Sequence, residues 1–195
     1  MPALDDRSLD QLFRTARSYN GFTDAPVTDA DLDAIWEVMK YGPTSANCLP
    51  ARIVWVRSAE AKEQLAGLAS PANGKKIMSA PVTAIIGMDM AFYELLPELF
   101  PHADAKSWFV GNEAMIQVTA MRNSSLQGAY LMLAARALGF DTGPMSGFDN
   151  AGVDAAFFDG ATIKSNFICT VGHGDPSSIY ERSPRPAFGR FNSVV

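Results

Sequence analysis

The feature that most constrains the fold of this chain is a long, mainly apolar stretch from Asn112 to Leu138. Its pattern predicts one helix roughly 40 Å long, at about 1.5 Å per residue. The apolar residues do not follow a single narrow stripe, so we expect this helix to be buried on several sides. With 195 residues the chain can bury such a helix in one domain, and we treat residues 1–195 as a single domain.

The segment directly after this helix, residues 139–149, reads Gly-Phe-Asp-Thr-Gly-Pro-Met-Ser-Gly-Phe-Asp. One interpretation is structural: Gly139 caps the helix and Pro144 prevents it from resuming. The other is functional, because such a segment can bring the backbone N–H groups of Ser146 and Gly147 close to a flat ligand. The local sequence is compatible with both interpretations.

The rest of the chain alternates between helical and strand patterns. Capping residues and hydrophobic spacing predict helices that run from Ser8 to near Asn20, from Thr28 to Gly42, and over 59–69 and 151–158. Alternating or continuous apolar runs predict strands over 52–57, 81–88 and 165–171. Residues 91–100 have a helical pattern that Pro97 weakens, and residues 101–111 resemble a loop.

Composition argues against several classes of function. A net charge of -5 and a pI near 5.0 disfavour a broad nucleic-acid surface. The two cysteines and two histidines are too scattered for a zinc site or a Ser-His-Asp hydrolase, so we predict no metal. We find neither a signal-peptide pattern nor an apolar run near the ~20 residues that cross a bilayer, and therefore expect a cytoplasmic protein with no membrane partner.

The C-terminal residues 175–195 differ in character from the rest of the chain. They contain Pro176, Pro184 and Pro186 together with Arg182, Arg185 and Arg190. Because few of these residues can pack into a local core, we interpret this C-terminal arm as a segment that lies on another surface or is disordered.

Two segments have residues suited to a phosphate. Arg17 and Ser18, at the end of the first predicted helix, can supply a charge-assisted and a hydroxyl hydrogen bond. Arg182 and Arg185 flank prolines that stiffen the arm. Each segment is also compatible with an ordinary polar surface.

Two other segments suit the polar edge of a ring. The loop from Pro43 to Asn47 has two hydroxyls and an amide that can both donate and accept, although it can also be a simple surface turn. Asn73-Gly74-Lys75-Lys76, just before an apolar strand, resembles a basic turn whose lysine can meet a phosphate or an electron-rich ring.

In their order along the chain, these segments resemble the FMN-dependent nitroreductase family over nearly the whole length. In that family an Arg-Arg-Ser-x-Arg-x-Phe pattern after the first helix holds the FMN phosphate and the flavin edge. This chain has Ala16, Arg17, Ser18, Asn20 and Phe22 at the matching positions, so the first and third basic residues are absent. The resemblance implies that Arg17 and Ser18 bind the phosphate and that Asn20 meets the flavin ring without adding charge.

A second match is the family's Pro-Ser-Ser-x-Asn-x-Gln-Pro-Trp loop, which reaches the flavin from the partner subunit. The matching residues here are Pro43, Thr44, Ser45 and Asn47. Leu49 and Ala51 replace the usual Gln and Trp, which indicates a divergent branch with a changed pocket wall.

The remaining matches complete the implied cofactor site. Asn73 and Lys76 fall where relatives contact the flavin pyrimidine edge, and Lys76 is the candidate for positive charge near flavin N1. Residues 144–149 match Pro-x-x-Gly-Phe-Asp, which implies that the cofactor is bordered by Pro144, Met145, Ser146 and Gly147. There the Ser146 N–H would face flavin N5. Arg185 matches the tail arginine that closes on the phosphate, and Arg182 is a second candidate.

The resemblance implies an α+β fold in which helices flank a central mixed sheet, assembled as an interlocked homodimer with an extended C-terminal arm. It implies an enzyme that uses FMN, with NADPH or NADH as hydride donor, and assigns no catalytic side chain because the flavin carries the hydride.

Within the family, Asn20-Gly21-Phe22 and residues 139–149 most resemble the malonic semialdehyde reductases of the Rut pyrimidine-degradation pathway. This implies reduction of a small aldehyde, malonic semialdehyde, to 3-hydroxypropanoate with NADPH. Two alternatives stay open: reduction of nitroaromatics, quinones or enones, and flavin binding without turnover.

Overall fold

A four-stranded sheet forms the centre of the protein. The computed structural model describes residues 2–159 and 162–195. The strands are β1 (Ala51–Val56), β2 (Val82–Asp89), β3 (Asp141–Met145) and β4 (Ile163–Gly172). They lie in the order β1-β2-β4-β3, and each neighbouring pair is antiparallel. The expected sheet was mixed, whereas the four described strands pair antiparallel. Among the described residues, parallel pairing occurs at an isolated bridge between Ser18 and Thr142, outside these strand pairs.

Helices cover both faces of this sheet. They are α1 (Asp6–Leu9), which continues as a π-helical turn over Asp10–Arg14, α2 (Asp29–Met39), α3 (Ala59–Gly67), α4 (Pro71–Ser79), α5 (Leu96–Leu99), α6 (Glu113–Ala137), α7 (Asn150–Phe157) and α8 (Phe188–Phe191). Short 3-10 turns occur at Ser45–Asn47, Phe92–Leu95, Lys106–Trp108 and Pro176–Ser178.

Strand β2 separates two hydrophobic cores. On one face Ile86 packs in a cluster with residues of α2 and α6, among them Ile35 and Leu131. On the other face Ile85 packs with residues of α3, α4 and α7, among them Leu65. Residues 82–88 are all buried, which explains why the strand has a continuous apolar sequence rather than an alternating one.

Polar side chains on the buried helix α6 hold the segment that leads into β1. The Oδ1 atom of Asn123 accepts a hydrogen bond from the Ser45 N–H at 2.8 Å. One turn later, Oε1 of Gln127 accepts from the Ala51 N–H, also at 2.8 Å. Asn123 and Gln127 are each 1% exposed, so these bonds are shielded from water. The helix therefore positions the loop as well as filling the core.

Several predicted elements are confirmed. Thr28 and Asp31 form the expected capping box at the start of α2. Asn112 caps α6, whose bounds agree with the predicted helix to within one residue at each end. Gly139 has φ = 87° and its N–H bonds to Arg136 O at 3.0 Å, so it ends α6 in the left-handed conformation that glycine tolerates.

The first predicted helix differs from the structure at both ends. Asp5, rather than Ser8, is the N-cap, because its carboxylate accepts the Ser8 N–H at 2.8 Å. The helical part ends at Arg14 instead of near Asn20, because the following residues are held in extended contacts by the sheet.

Two other segments were assigned the wrong local structure. Residues 73–76, predicted as a turn, lie inside α4, where Pro71 occupies a favourable first-turn position and Gly74 and Ile77 are buried against neighbouring elements. Residues 141–145, read only as a glycine-rich junction, form the edge strand β3. Pro144 is compatible with this strand because an edge position tolerates a residue that lacks an N–H.

Within residues 2–159 and 162–195, no helix combines the length and the apolar character needed to traverse a membrane.

Replacing Gln127 by Leu tests whether α6 holds the start of β1. The substitution preserves most of the side-chain volume but removes the acceptor for the Ala51 N–H. We expect the free energy of unfolding to fall by about 1–3 kcal/mol, because a buried donor loses its partner. Urea denaturation at fixed protein concentration measures the change. Gln64 is exposed on α3, and Gln64→Leu should change stability by no more than about 0.5 kcal/mol. Equal effects of the two substitutions would contradict the proposed role of Gln127 in holding the start of β1.

Candidate functional site

A cleft of about 550 Å³ lies between the segment after the first helix, the end of α6 and the C-terminal arm. It is lined by Phe13, Ala16, Arg17, Ser18, Asn20, Arg136, Tyr180, Glu181, Arg182, Ser183 and Arg185. We call it the arginine cleft. It brings together five of the residues that the sequence predicted, from positions more than 150 residues apart in the chain.

Reciprocal hydrogen bonds hold the arm against the Ala16–Asn20 segment. The Arg17 guanidinium donates to the Tyr180 main-chain oxygen, and Arg182 Nη2 donates to Ala16 O at 2.8 Å. The Asn20 side-chain amide donates to the main-chain oxygen of Ser178 at 2.8 Å. Through these bonds, residues 178–182 of the arm lie against the body of the same chain. Residues 180–195 are nevertheless exposed throughout.

The opposite side of the Ala16–Asn20 segment contacts the edge strand β3. The Tyr19 N–H donates to Thr142 O at 3.1 Å, next to the parallel bridge that Ser18 makes with the same residue. A Cβ atom at Gly143 would lie 2.6 Å from Tyr19 O and 2.5 Å from Thr170 Oγ1. Glycine is therefore required here for the two stretches of backbone to approach so closely.

Positive charge predominates in the arginine cleft. The arginines that line it are Arg17, Arg136, Arg182 and Arg185. In the part of the chain that the structure describes, no salt bridge joins any of them to a carboxylate, whereas Arg14, Arg52 and Arg57 elsewhere each have such a partner. Glu181 is the acidic residue in the lining. In a chain with net charge -5, this concentration of cations suits a bound anion.

Among the described arginines that line the cleft, Arg136 is the one that the sequence did not predict as a site residue. Its Nη1 donates to Leu12 O at 3.1 Å, while its Nε is buried with no hydrogen-bond partner among the described residues. Burial lowers the pKa of this guanidinium from its ordinary value. The sequence feature that could have indicated it is a cation in the otherwise uncharged C-terminal half of α6, which was interpreted only as core.

A second group of predicted residues lies at the far end of β3. Gly147 O accepts hydrogen bonds from the Asn73 side-chain amide at 3.1 Å and from the Ser70 N–H at 3.0 Å, which joins α4 to the end of the strand. Lys76 lies one turn further along α4 and is half-buried. Gly147 lies five positions after Thr142, a span of roughly 16 Å at ~3.3 Å per position. An elongated ligand along β3 would therefore meet both groups.

The remaining residues of this strand end differ in their exposure. Met145 is 7% exposed and packs in the core on the α3 and α4 side of the sheet. Its side chain therefore supports the strand. Pro144 is half-buried, and Ser146 is exposed.

The predicted loop Pro43–Asn47 does not line the arginine cleft in the same chain. Thr44 is half-buried and Ser45 is held by α6, while the Asn47 side-chain amide donates to Leu99 O at 2.8 Å. Ala46, Asn47 and Leu49 have φ values of 48°, 49° and 37°, in the left-handed region that non-glycine residues adopt at an energetic cost. The loop is thus held in one defined, strained shape.

The titratable side chains offer little nucleophilic chemistry. Burial raises the pKa of Cys48 to about 11 and that of Cys169 to about 12, so neither thiol ionises near neutral pH. Among the described residues, no group of three or more His, Cys, Asp or Glu side chains is arranged to hold a metal. The site is suited to binding and orienting a reactive group more than to supplying one.

Comparison with known proteins agrees with this organisation. The profile of the nitroreductase family matches residues 13–173. A protein of Burkholderia lata, provisionally named NADH dehydrogenase/NAD(P)H nitroreductase, is 61% identical over 185 residues, which are 95% of each chain. A Ralstonia pickettii protein with the provisional name NADH dehydrogenase/NAD(P)H nitroreductase HadB is 62% identical over 184 residues, 93% of this chain and 94% of that one.

The fold is also found in a solved structure from Exiguobacterium sibiricum, a provisional nitroreductase in complex with FMN. Its TM-score is 0.86 at 20% identity, and the match covers 100% of this chain and 99% of that chain. With a family match that spans most of its length and relatives of about 60% identity, this chain belongs to the nitroreductase family.

Proposed function

We propose that this protein is an FMN-dependent NAD(P)H oxidoreductase and that its acceptor is malonic semialdehyde, which it reduces to 3-hydroxypropanoate in pyrimidine degradation. The observation that carries the cofactor assignment is the convergence of Arg17, Ser18 and Asn20 with Arg182 and Arg185 in one cleft. Membership of the nitroreductase family and the NAD(P)H-linked names of its relatives support the reaction class.

The arginine cleft fits the phosphate of FMN. A dianion needs several donors from fixed directions, and an arginine has five N–H donors in a rigid fork. Arg17 and Arg182 each use part of this fork on a main-chain oxygen, which orients the group while further donors remain for the phosphate. Ser18 adds an exposed hydroxyl, and Arg185 adds charge from the arm.

The other end of β3 fits the isoalloxazine ring. Bound FMN supplies two-electron transfer between NAD(P)H and the acceptor. We assign the Ser146 N–H to the ring at N5, with Pro144, Met145 and Gly147 as its backbone surroundings. Asn73 fixes this strand end through its bond to Gly147 O. We assign Lys76 to the pyrimidine edge, where a cation stabilises negative charge.

A homodimer would complete the site. The loop Pro43–Asn47 does not line the arginine cleft of its own chain, so in this proposal it serves the partner's cofactor. Exposed apolar side chains support such an interface: Met115, Val118 and Met121 of α6 are 40%, 52% and 41% exposed. Patches of this kind on an otherwise buried helix typically mark contact surfaces.

The acceptor is the least constrained part of the proposal. Malonic semialdehyde is favoured by the resemblance of Asn20-Gly21-Phe22 and residues 139–149 to the Rut-pathway enzymes, and pyrimidine degradation would place the protein in the cytoplasm. Nitroaromatic compounds are a second candidate, favoured by the provisional nitroreductase names of the relatives.

Steady-state NADPH oxidation with each acceptor separates these candidates. We expect a higher kcat/KM with malonic semialdehyde than with nitrofurazone. The reason is that Asn20-Gly21-Phe22 and residues 139–149, which resemble the Rut-pathway enzymes, border the proposed flavin site. Efficient turnover of nitrofurazone without turnover of the semialdehyde would reject the first candidate. A flavin that stays yellow after anaerobic mixing with NADPH would reject both.

The double substitution Arg17→Ala with Arg185→Ala tests the phosphate assignment. Two lost charge-assisted hydrogen bonds should weaken FMN binding by roughly 100-fold or more, with little change in secondary structure. Flavin absorbance after gel filtration and circular dichroism measure these two quantities. Arg57→Ala with Arg190→Ala is the matched control, since it removes one arginine from the body and one from the arm outside the cleft. Full flavin occupancy in the first double variant would contradict the assignment.

Val118→Glu tests whether the site is completed by a partner. Light scattering should give a mass of about twice 21.0 kDa for the unmodified protein and a smaller mass for the variant, because a charge in an apolar interface is costly. FMN affinity should fall in parallel, while Val118→Ala should preserve both properties. A monomeric variant that binds FMN undiminished would show that the loop is not contributed in trans.

A further inference from the structure

Arg136 belongs to a different part of the fold than the other arginines that line the arginine cleft. It lies in the last turn of the buried helix α6, whereas Arg17 belongs to the segment after the first helix and Arg182 and Arg185 to the arm. Its Nη1 donates to Leu12 O at 3.1 Å, and its main-chain oxygen accepts from Gln11 Nε2 at 2.7 Å. The guanidinium is therefore held by the body of the protein and does not depend on the exposed arm.

The guanidinium of Arg136 is incompletely satisfied by the protein. Its Nε is buried and has no acceptor among the described residues, and no salt bridge there pairs the group with a carboxylate. Buried polar atoms are nearly always hydrogen-bonded, and burial of a cation is costly. Asp141 attracts the guanidinium electrostatically but forms no salt bridge with it. The partial negative charge at the C-terminus of α6 offsets some of this cost. An anion in the cleft would offset the rest.

We infer that Arg136 is a further anion-binding residue of the arginine cleft and that it holds the phosphate of the FMN assigned above. This inference rests on the proposed function. Its basis is the position of a half-buried, pre-oriented guanidinium in the lining of a cleft whose other arginines form no salt bridge with a carboxylate in the described part of the chain. The alternative is a structural role, in which Arg136 serves only to tie Leu12 to the end of α6.

The comparison of FMN with riboflavin separates these roles, because riboflavin lacks the phosphate. Affinities for the apoprotein are measured by quenching of flavin fluorescence, with thermal shifts at high ligand concentration for weak binding. The informative variant is Arg136→Gln, which keeps a donor for Leu12 O but removes the charge. Arg136→Lys retains the charge, and Arg57→Ala, which removes an arginine outside the cleft, is the control.

We expect Arg136→Gln to weaken FMN binding by about 10- to 100-fold and to change riboflavin binding by less than about twofold. Arg136→Lys should recover part of the lost FMN affinity, and Arg57→Ala should change neither affinity. Equal loss of both flavins, or an unchanged FMN-to-riboflavin ratio, would overturn the assignment of Arg136 while leaving the proposed function intact. Failure of the unmodified protein to bind FMN would overturn both.

Discussion

Asn123, Gln127 and Arg136 lie along one buried helix, and each is hydrogen-bonded to the main chain of another segment. Through these bonds α6 fixes the loop at Ser45, the start of β1 and the segment at Leu12 relative to one another. This helix packs in two hydrophobic clusters, through Ile116 and Ala120 in one and through Leu131 and Ala135 in the other, so it cannot shift without disturbing them. It is therefore a rigid reference for all three segments. The strand that runs between the two halves of the candidate site, β3, begins only a few residues after this helix ends.

The arginine cleft is built very differently from this core. It is closed by an arm that is exposed from residue 180 onward and is attached through a few hydrogen bonds, each of which contributes on the order of 1 kcal/mol. A dianion bound between cations of the arm and of the body would add charge-assisted bonds to this attachment. The body of the protein therefore provides the fixed side of the cleft, and a bound anion would contribute to holding the arm in place.

The structure brings several of the candidate site residues together, although the local structure around some of them was predicted wrongly. Asn73 and Ser146 were both predicted at the flavin ring, and in the structure the Asn73 side-chain amide donates to Gly147 O, next to Ser146. The element predicted for Asn73 was nevertheless wrong, because a local turn signal at Asn73-Gly74 was overridden by the packing of α4. The strand β3 was missed because its ladder hydrogen bonds come from β4, which lies more than 20 residues further along the chain.

The amino-acid sequence by itself determined the long central helix, the doubly buried strand β2, the capping box of α2 and the residue types suited to a phosphate and a ring. Those features follow from periodicity, capping and donor chemistry within short windows. Only the tertiary structure decided that Arg17 donates to Tyr180 O while Arg182 donates to Ala16 O, that Arg136 lines the same cleft, and that the loop Pro43–Asn47 does not line the cleft of its own chain. Such pairings depend on long-range packing, in which residues distant in sequence are brought together by the cores they share.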